Sequence, residues 1–258
     1  MAIKEVVRKW IWNRTWLARL VFPLVNCFHY GKNLIKYGVA DPKIYFVFKG
    51  KTLVYLTNSK AAQTTITNTN GNKIKKEYSG LQTGRKIRQL SKEEQEYFKF
   101  TFVRNPYERL YSCYRSKLKA DKQKYGKRYG DFDFYLLGYL KQDKGFAKFV
   151  EKVTKVPYWL SDRHFKPQSY LVYKDNTYPL DLVGRLENIE EEFEPIRLRF
   201  ELDKLPHLND STITKEDWRD AYTPELIDKV TNYYKSDLDL WYPEAEAQLR
   251  KYVTSTYS

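Results

Sequence analysis

The spacing of apolar and polar residues divides the chain into an N-terminal arm and a larger body. From Trp10 to Phe28 the chain is rich in Trp, Leu, Val and Phe, interrupted by Arg14 and Arg19. The longest uncharged run, Leu20 to Tyr30, is too short to span a bilayer and contains Pro23 and Asn26. Residues 1–40 therefore read as a helical arm, either packed on the body or lying on a membrane surface as a basic amphipathic segment. The pattern shortens at Ile44–Phe48 and Leu53–Thr57, two apolar runs flanking Gly50 that predict a hairpin-like strand pair. Phe98–Val103 predicts a strand and Tyr107–Leu118 a helix, with Ser91-Lys-Glu-Glu as a capping box ahead of them. Phe132–Leu140 and Gly145–Val153 read as helices, Tyr170–Tyr173 and Asp181–Gly184 as short strands. From Ile189 onward the pattern is helical, divided by Pro195, Pro206, Pro224 and Pro243. Strands alternating with helices predict an α/β domain over residues 41–258, with a mainly parallel sheet and a helical C-terminal part.

Composition narrows the partners. The chain carries 46 Lys and Arg against 32 Asp and Glu, a formal charge of +14, which favours anionic ligands or surfaces. Seven basic residues and one acid fall within residues 115–128, a solvated face or an acceptor-binding patch. Only Cys27 and Cys113 are present, with no metal-ligand spacing, which argues against a disulfide framework and for a reducing, cytoplasmic setting. The 23 Tyr and 6 Trp suit a core and its rim as well as sugar- or base-stacking surfaces.

Two segments carry candidate chemistry. Phe100 to Arg115 reads as a strand ending at Arg104, a turn at Asn105-Pro106, and a helix carrying Arg109, Ser112 and Arg115. A guanidinium at the carboxyl end of a strand and a hydroxyl two turns into the next helix can face one anion. Val54 to Ile66 reads as a strand, a small-residue loop with Lys60, and hydroxyls at Thr64 and Thr65 where a helix starts. Backbone N–H groups and a lysine there suit a phosphate. The loop is not a Walker motif, because no G-x-x-x-x-G-K-[ST] is present.

Together these segments resemble the sulfotransferase family, most closely in pattern its carbohydrate members. Arg104-Asn-Pro-x-x-Arg109-Leu-x-Ser112-x-Tyr114 resembles the family's 3′-phosphate motif, and Ser59-Lys60-Ala61-Ala62-Gln63-Thr64-Thr65 its 5′-phosphosulfate loop. Asp162-Arg-His164-Phe-x-Pro167-Gln168, Val183-Gly-Arg-Leu-Glu187 and Tyr234-Lys-x-Asp237-Leu-x-Leu-Trp241-Tyr242 are similar to downstream family elements in the same order. Ser59 and Ala62 stand where the family usually has Pro and Gly, which makes the first loop less permissive in φ and ψ. The extra cysteines and membrane anchor of many carbohydrate members are lacking, which argues against a Golgi-type setting.

The resemblance implies a P-loop-kinase-like three-layer α/β sandwich and transfer of a sulfuryl group from 3′-phosphoadenosine 5′-phosphosulfate to a carbohydrate hydroxyl, with no metal. It implies that Arg104 and Ser112 hold the 3′-phosphate, that Lys60 contacts the bridging oxygen, and that Ala61, Ala62, Gln63, Thr64 and Thr65 surround the 5′-phosphate. Ser211 and Thr212 fall in a segment similar to the one that covers the nucleotide. Arg109 is expected to make a structural ion pair with Glu108 or Asp133. Of the three histidines, His29 lies in the arm and His207 in the covering segment, so His164 is the candidate general base, with Glu187 as runner-up. A tyrosyl peptide or small molecule is the alternative acceptor. A phosphoryl transferase of the same broad fold, and a basic nucleic-acid-binding protein, are the competing readings; no nucleic-acid-binding signature is present.

Overall fold

Every position of the strands Tyr45–Phe48 (β1) and Leu53–Leu56 (β2) is buried, so both faces of the sheet at this point are covered. A computed structural model describes residues 7, 10–11, 14–67, 84–119, 135–140, 145–174, 178–205 and 217–256. β1 and β2 pair antiparallel about Gly50, with Tyr45 opposite Leu56 and Val47 opposite Val54, as the apolar runs predict. The strand Phe98–Val103 (β4) lies parallel to β2, and Leu182–Arg185 (β5) lies parallel to β4. A further strand, Gly84–Ile87 (β3), completes the sheet order β3-β1-β2-β4-β5 and runs antiparallel to β1. It is an edge strand of sequence GRKI with no apolar run, so its pairing is invisible to periodicity.

Alternation along the strands divides the core in two. Tyr45, Val47, Val54, Leu56 and Val103 join one cluster with residues of the helices Pro106–Tyr114 (α3), Gly145–Val153 (α4) and Pro224–Tyr233. Phe46, Phe48, Leu53, Tyr55, Phe100 and Phe102 face the other way, against Phe193 and Ile196 of the helix Ile189–Arg199. Helix, sheet and helix thus form the three layers expected of this pattern.

The helix Thr15–Tyr37 (α1) ends on left-handed Gly38 and touches the body near Tyr135, where the Tyr30 and Tyr135 rings meet edge to face at 5.8 Å. No helix among the described residues is long and apolar enough to cross a membrane.

Some sequence expectations are revised. Tyr170–Lys174 is a π-helical turn rather than a strand. The buried Asp237 carboxylate accepts the amides of Gln168 and Ser169, both at 2.7 Å, and so starts a helical turn where the apolar run alone suggests an extended one. Pro195 lies inside its helix rather than at a boundary. Tyr135–Gly138 is a short 3-10 segment with Leu136 and Leu137 in the left-handed region; residues 132–134 lie outside the described residues. The Ser91 capping box is present, with Ser91 N–H donating to Glu94 Oε2 at 2.8 Å, but the helix it starts is a single 3-10 turn.

Candidate active site

Because β2 and β4 are adjacent and parallel, the segments leaving their carboxyl ends lie side by side. The segment after β2, Thr57–Ala62, has its carbonyls drawn toward the protein. Arg109 Nε donates to the Ser59 carbonyl at 3.1 Å, Arg104 Nη1 to that of Lys60 at 3.3 Å, and Tyr55 hydroxyl to that of Ala61 at 3.0 Å. In a trans peptide the N–H opposes its C=O, so the Lys60 and Ala62 amides point away from these donors. Lys60 and Ala62 hold φ of +71° and +56°, a left-handed conformation unusual for residues with a Cβ. The Ala61 amide between them turns back to the Asn58 carbonyl at 3.3 Å, so the amides that suit an anion here are those of Lys60 and Ala62. Ala62, where the family usually has Gly, thus sits in a conformation that glycine would adopt without strain.

The segment after β4 is held by local chemistry. Asn105 caps α3, its side chain accepting the Tyr107 amide at 3.0 Å, and Pro106 occupies the first turn. Arg104 Nη2 donates to Glu108 at 2.6 Å, while its Nε is buried with no hydrogen-bond partner among the described residues. A buried guanidinium N–H left open in this way fits an incoming anion. Ser112, two turns along α3, is half-buried. Burial pulls the Lys60 ammonium down to about 8, with Lys117, Arg104 and Arg109 adding to the effect. A bound anion would reverse that shift.

Among the described residues Arg109 makes no ion pair and instead holds backbone. It is 1% exposed and donates to the carbonyls of Ser59, Lys166 (2.9 Å) and Arg163 (2.8 Å). Glu108, its expected partner, is taken by Arg104, and Asp133 lies outside the described residues. Arg109 therefore fastens the Lys60 loop to the turn that carries His164.

In that turn His164 Nδ1 meets Asp162 Oδ1 at 2.6 Å, and the His164 amide donates to the same oxygen at 2.8 Å. Burial opposes charge on Asp162, yet the imidazole and its hydrogen bonds hold this carboxyl well below the usual carboxylate range. With Asp162 ionised, Nδ1 carries the proton and Nε2 keeps its lone pair. Burial lowers the His164 pKa; Asp162 pulls against it, and the Lys117 and Lys60 charges add to the lowering. The Lys60 ammonium is thus close enough for its charge to be felt at His164.

Glu187, the runner-up base, has both oxygens engaged: Oε1 accepts the Asn105 amide at 2.9 Å and Oε2 the Tyr242 hydroxyl at 2.7 Å. Gln63 accepts from the Ser59 hydroxyl at 3.2 Å, and Thr64 and Thr65 stand half-buried in the short helix Gln63–Thr67. Ser211, Thr212 and His207, and residues 120–128 of the basic run, lie outside the described residues. His29 is exposed on α1. No three His, Cys, Asp or Glu among the described residues cluster to hold a metal.

Asn58 was overlooked in sequence. Its Nδ2 donates to the Phe102 carbonyl at 2.9 Å and to Gln168 Oε1 at 3.0 Å, while Gln168 exchanges two hydrogen bonds with the Arg104 backbone at 2.9 and 2.7 Å. An asparagine directly after a predicted strand, in a loop of small residues, was the available signal.

A three-layer α/β sheet with cationic loops at adjacent strand ends, tied by Arg109 to a turn with a His–Asp pair, is an arrangement that suits an enzyme with an anionic substrate. Residues 42–243 match the profile of the sulfotransferase family, and the chain belongs to that family. It is a sulfotransferase, and family membership implies 3′-phosphoadenosine 5′-phosphosulfate as the sulfate donor and a hydroxyl as acceptor. Neither the curated proteins nor the solved structures include a match to the chain.

Proposed function

We propose that this sulfotransferase moves the sulfuryl group onto a carbohydrate hydroxyl, with the donor across the ends of β2 and β4. Arg104 and Ser112 hold the 3′-phosphate, and Lys60 with residues 61–65 receives the 5′-phosphosulfate. The observation that carries this is the bond from Arg104 to the Lys60 carbonyl, which joins the two anion-receiving segments while Arg104 Nε stays open. Ser211 and Thr212 are assigned to the nucleotide on the family resemblance alone.

The acceptor oxygen attacks sulfur in line as the bond from sulfur to the bridging oxygen breaks. His164 Nε2 takes the acceptor's proton, and Asp162 orients the ring and stabilises the imidazolium that forms. Lys60 balances the charge that develops on the departing phosphate. Such transfers depend mainly on positioning and charge stabilisation. Glu187, its oxygens occupied, is a positioning residue for the Asn105 turn.

Calorimetry tests the donor site. Adenosine 3′,5′-bisphosphate should bind tightly, ATP and a single-stranded oligonucleotide weakly; preferential, salt-sensitive oligonucleotide binding would reject the reading. Radiolabelled donor offered with glycans, acidic tyrosyl peptides and small phenols tests the acceptor, and label on peptide alone would replace the carbohydrate.

A second reading concerns α1. Trp16, Leu20, Leu24 and Phe28 repeat every four residues and are 62–70% exposed, and Ile35 is 91% exposed. Arg19, Lys32 and Lys36 are exposed on the same helix, which has no acidic residue. An apolar stripe on a cationic helix suits an anionic lipid surface, whereas a second copy of a +14 chain would bring like charges together. The protein should co-sediment with vesicles containing phosphatidylglycerol and lose this when Leu24→Glu and Phe28→Glu are introduced; equal sedimentation of the variant would reject the contact.

A further inference from the structure

β1 runs antiparallel to β2, so its first residues return to the edge of the sheet where the Lys60 loop begins. Thr57 makes this contact explicit, its amide and hydroxyl both donating to the Ile44 carbonyl at 2.9 Å. β3 pairs with β1 so that Ile87 lies opposite Tyr45, which brings Arg88 to the same edge. Between these segments and the end of α1 lies a cavity of about 450 Å³, within the size range of ligand pockets. Lys36, Lys43 and Arg88 line it, together with Tyr37, Tyr45 and Tyr178, and none of the described lining residues is acidic.

The walls are held in place. The Lys36 ammonium and Arg88 guanidinium lie 5.2 and 5.5 Å from the centre of the Tyr37 ring, on which both converge. Arg88 Nη1 donates to Asn33 Oδ1 at 2.9 Å, and Asn33 Nδ2 donates to the Ala40 carbonyl at 2.7 Å. Of the described acids next to lining residues, Asp41 pairs with the guanidinium and amide of Arg163, the residue before His164, Glu94 pairs with Arg85, and Glu96 is exposed. The segment 41–43 therefore has the cavity beside it and the His164 turn bound to it. A chain seated in the cavity would pass along this segment toward the candidate base.

We propose that this cavity is an acceptor subsite that takes an anionic saccharide unit, such as a uronate, of the carbohydrate being sulfated. The proposal rests on the carbohydrate reading above. Arg88 and the two lysines match a carboxylate or sulfate group. The half-buried Tyr37 adds aromatic surface suited to the apolar face of a pyranose, while Tyr45 and Tyr178, buried and edge to face at 5.6 Å, make a fixed apolar wall. Gln89 and Gln95, also in the lining, carry both donors and acceptors, as sugar hydroxyls require.

The test uses the full chain preloaded with adenosine 3′,5′-bisphosphate and a galacturonate hexamer as probe. The hexamer should bind measurably, and the Lys36→Gln, Arg88→Gln double variant should bind it at least 10-fold more weakly with bisphosphate affinity unchanged. A neutral dextran hexamer should bind the wild type at least 10-fold more weakly than the uronate, and so should a glutamate hexamer. Equal hexuronate binding by the variant, or tighter binding of the peptide, overturns the subsite. As a second measurement on the unaltered protein, the hexuronate should slow acetylation of Lys36; an unchanged rate also counts against the proposal. If the wild type fails to bind the bisphosphate, the donor assignment fails instead, so the two failures are distinguishable.

Discussion

Arg104 donates through Nη1 to the Lys60 carbonyl at 3.3 Å, so the side chain assigned to the 3′-phosphate also braces the loop assigned to the 5′-phosphosulfate. Arg104→Ala should therefore weaken adenosine 3′,5′-bisphosphate binding by about 10- to 100-fold, the scale of a charge-assisted hydrogen bond. Acceptor binding should change far less. Calorimetry on the folded variant checks this, and an unchanged donor affinity would remove Arg104 from the site.

The His–Asp pair sets the second expectation. His164→Ala should lower kcat about 100-fold or more with bisphosphate affinity nearly unchanged, the scale of general base catalysis. Asp162→Asn should also lower kcat, because the ring then loses its orienting carboxylate. Turnover retained by His164→Ala would rule the histidine out as the base.

The pH profile follows from two shifted groups. His164 titrates below its ordinary value, so it becomes a neutral base at lower pH and the acidic limb of kcat/KM should fall below pH 6.5. Lys60 in the free enzyme is pulled down to about 8, so it loses its charge as pH rises through that value. Donor affinity and kcat/KM should then decline above about pH 8, and Lys60→Arg should remove this decline because a guanidinium stays protonated. A profile flat through pH 9 would contradict the assignment of Lys60 to the donor.

Ala62 holds a φ of +56° that a Cβ disfavours. Ala62→Gly should raise stability by about 0.5–1 kcal/mol, since the strain relieved exceeds the chain entropy that glycine adds to the unfolded state. Thermal unfolding measures this, and a lower Tm would show that the loop is not strained at this residue.

Gly184 marks the opposite constraint. A Cβ there would meet the Phe102 ring at 2.5 Å and Glu192 Oε2 at 2.7 Å. Gly184→Ala should destabilise the protein by about 1–3 kcal/mol through overpacking, read from chemical denaturation. A neutral result would mean that the β4–β5 pair has room to shift.

Much of the site-bearing frame was legible in order. Ile44–Phe48 and Leu53–Leu56 are apolar because strands covered on both faces need no polar side, Phe98–Val103 is marked by its alternating aromatics, and Asn105-Pro106 announces a helix start by its own chemistry. Tyr170–Tyr173 misled for a related reason: a short buried run reads alike as strand or helical turn. The deciding partner, Asp237, is 69 residues from Gln168. Arg109 reads as structural in the sequence, and the partners the described residues give it are carbonyls, which no residue type in a sequence can advertise.

What the sequence determined is local: strand, turn, cap and the residue types that suit phosphate at Lys60 and Arg104. These rest on backbone preferences and hydrogen bonds among near neighbours. What only the tertiary structure decided is which of those residues share a site. Parallel pairing of β2 and β4 set the two loops side by side, and Arg109 bound the Lys60 loop to the His164 turn. Antiparallel return of β1 and β3 carried Lys43 and Arg88 to the same edge. Each of these relations joins residues far apart in the chain, through contacts that exist only once both faces of the sheet are buried.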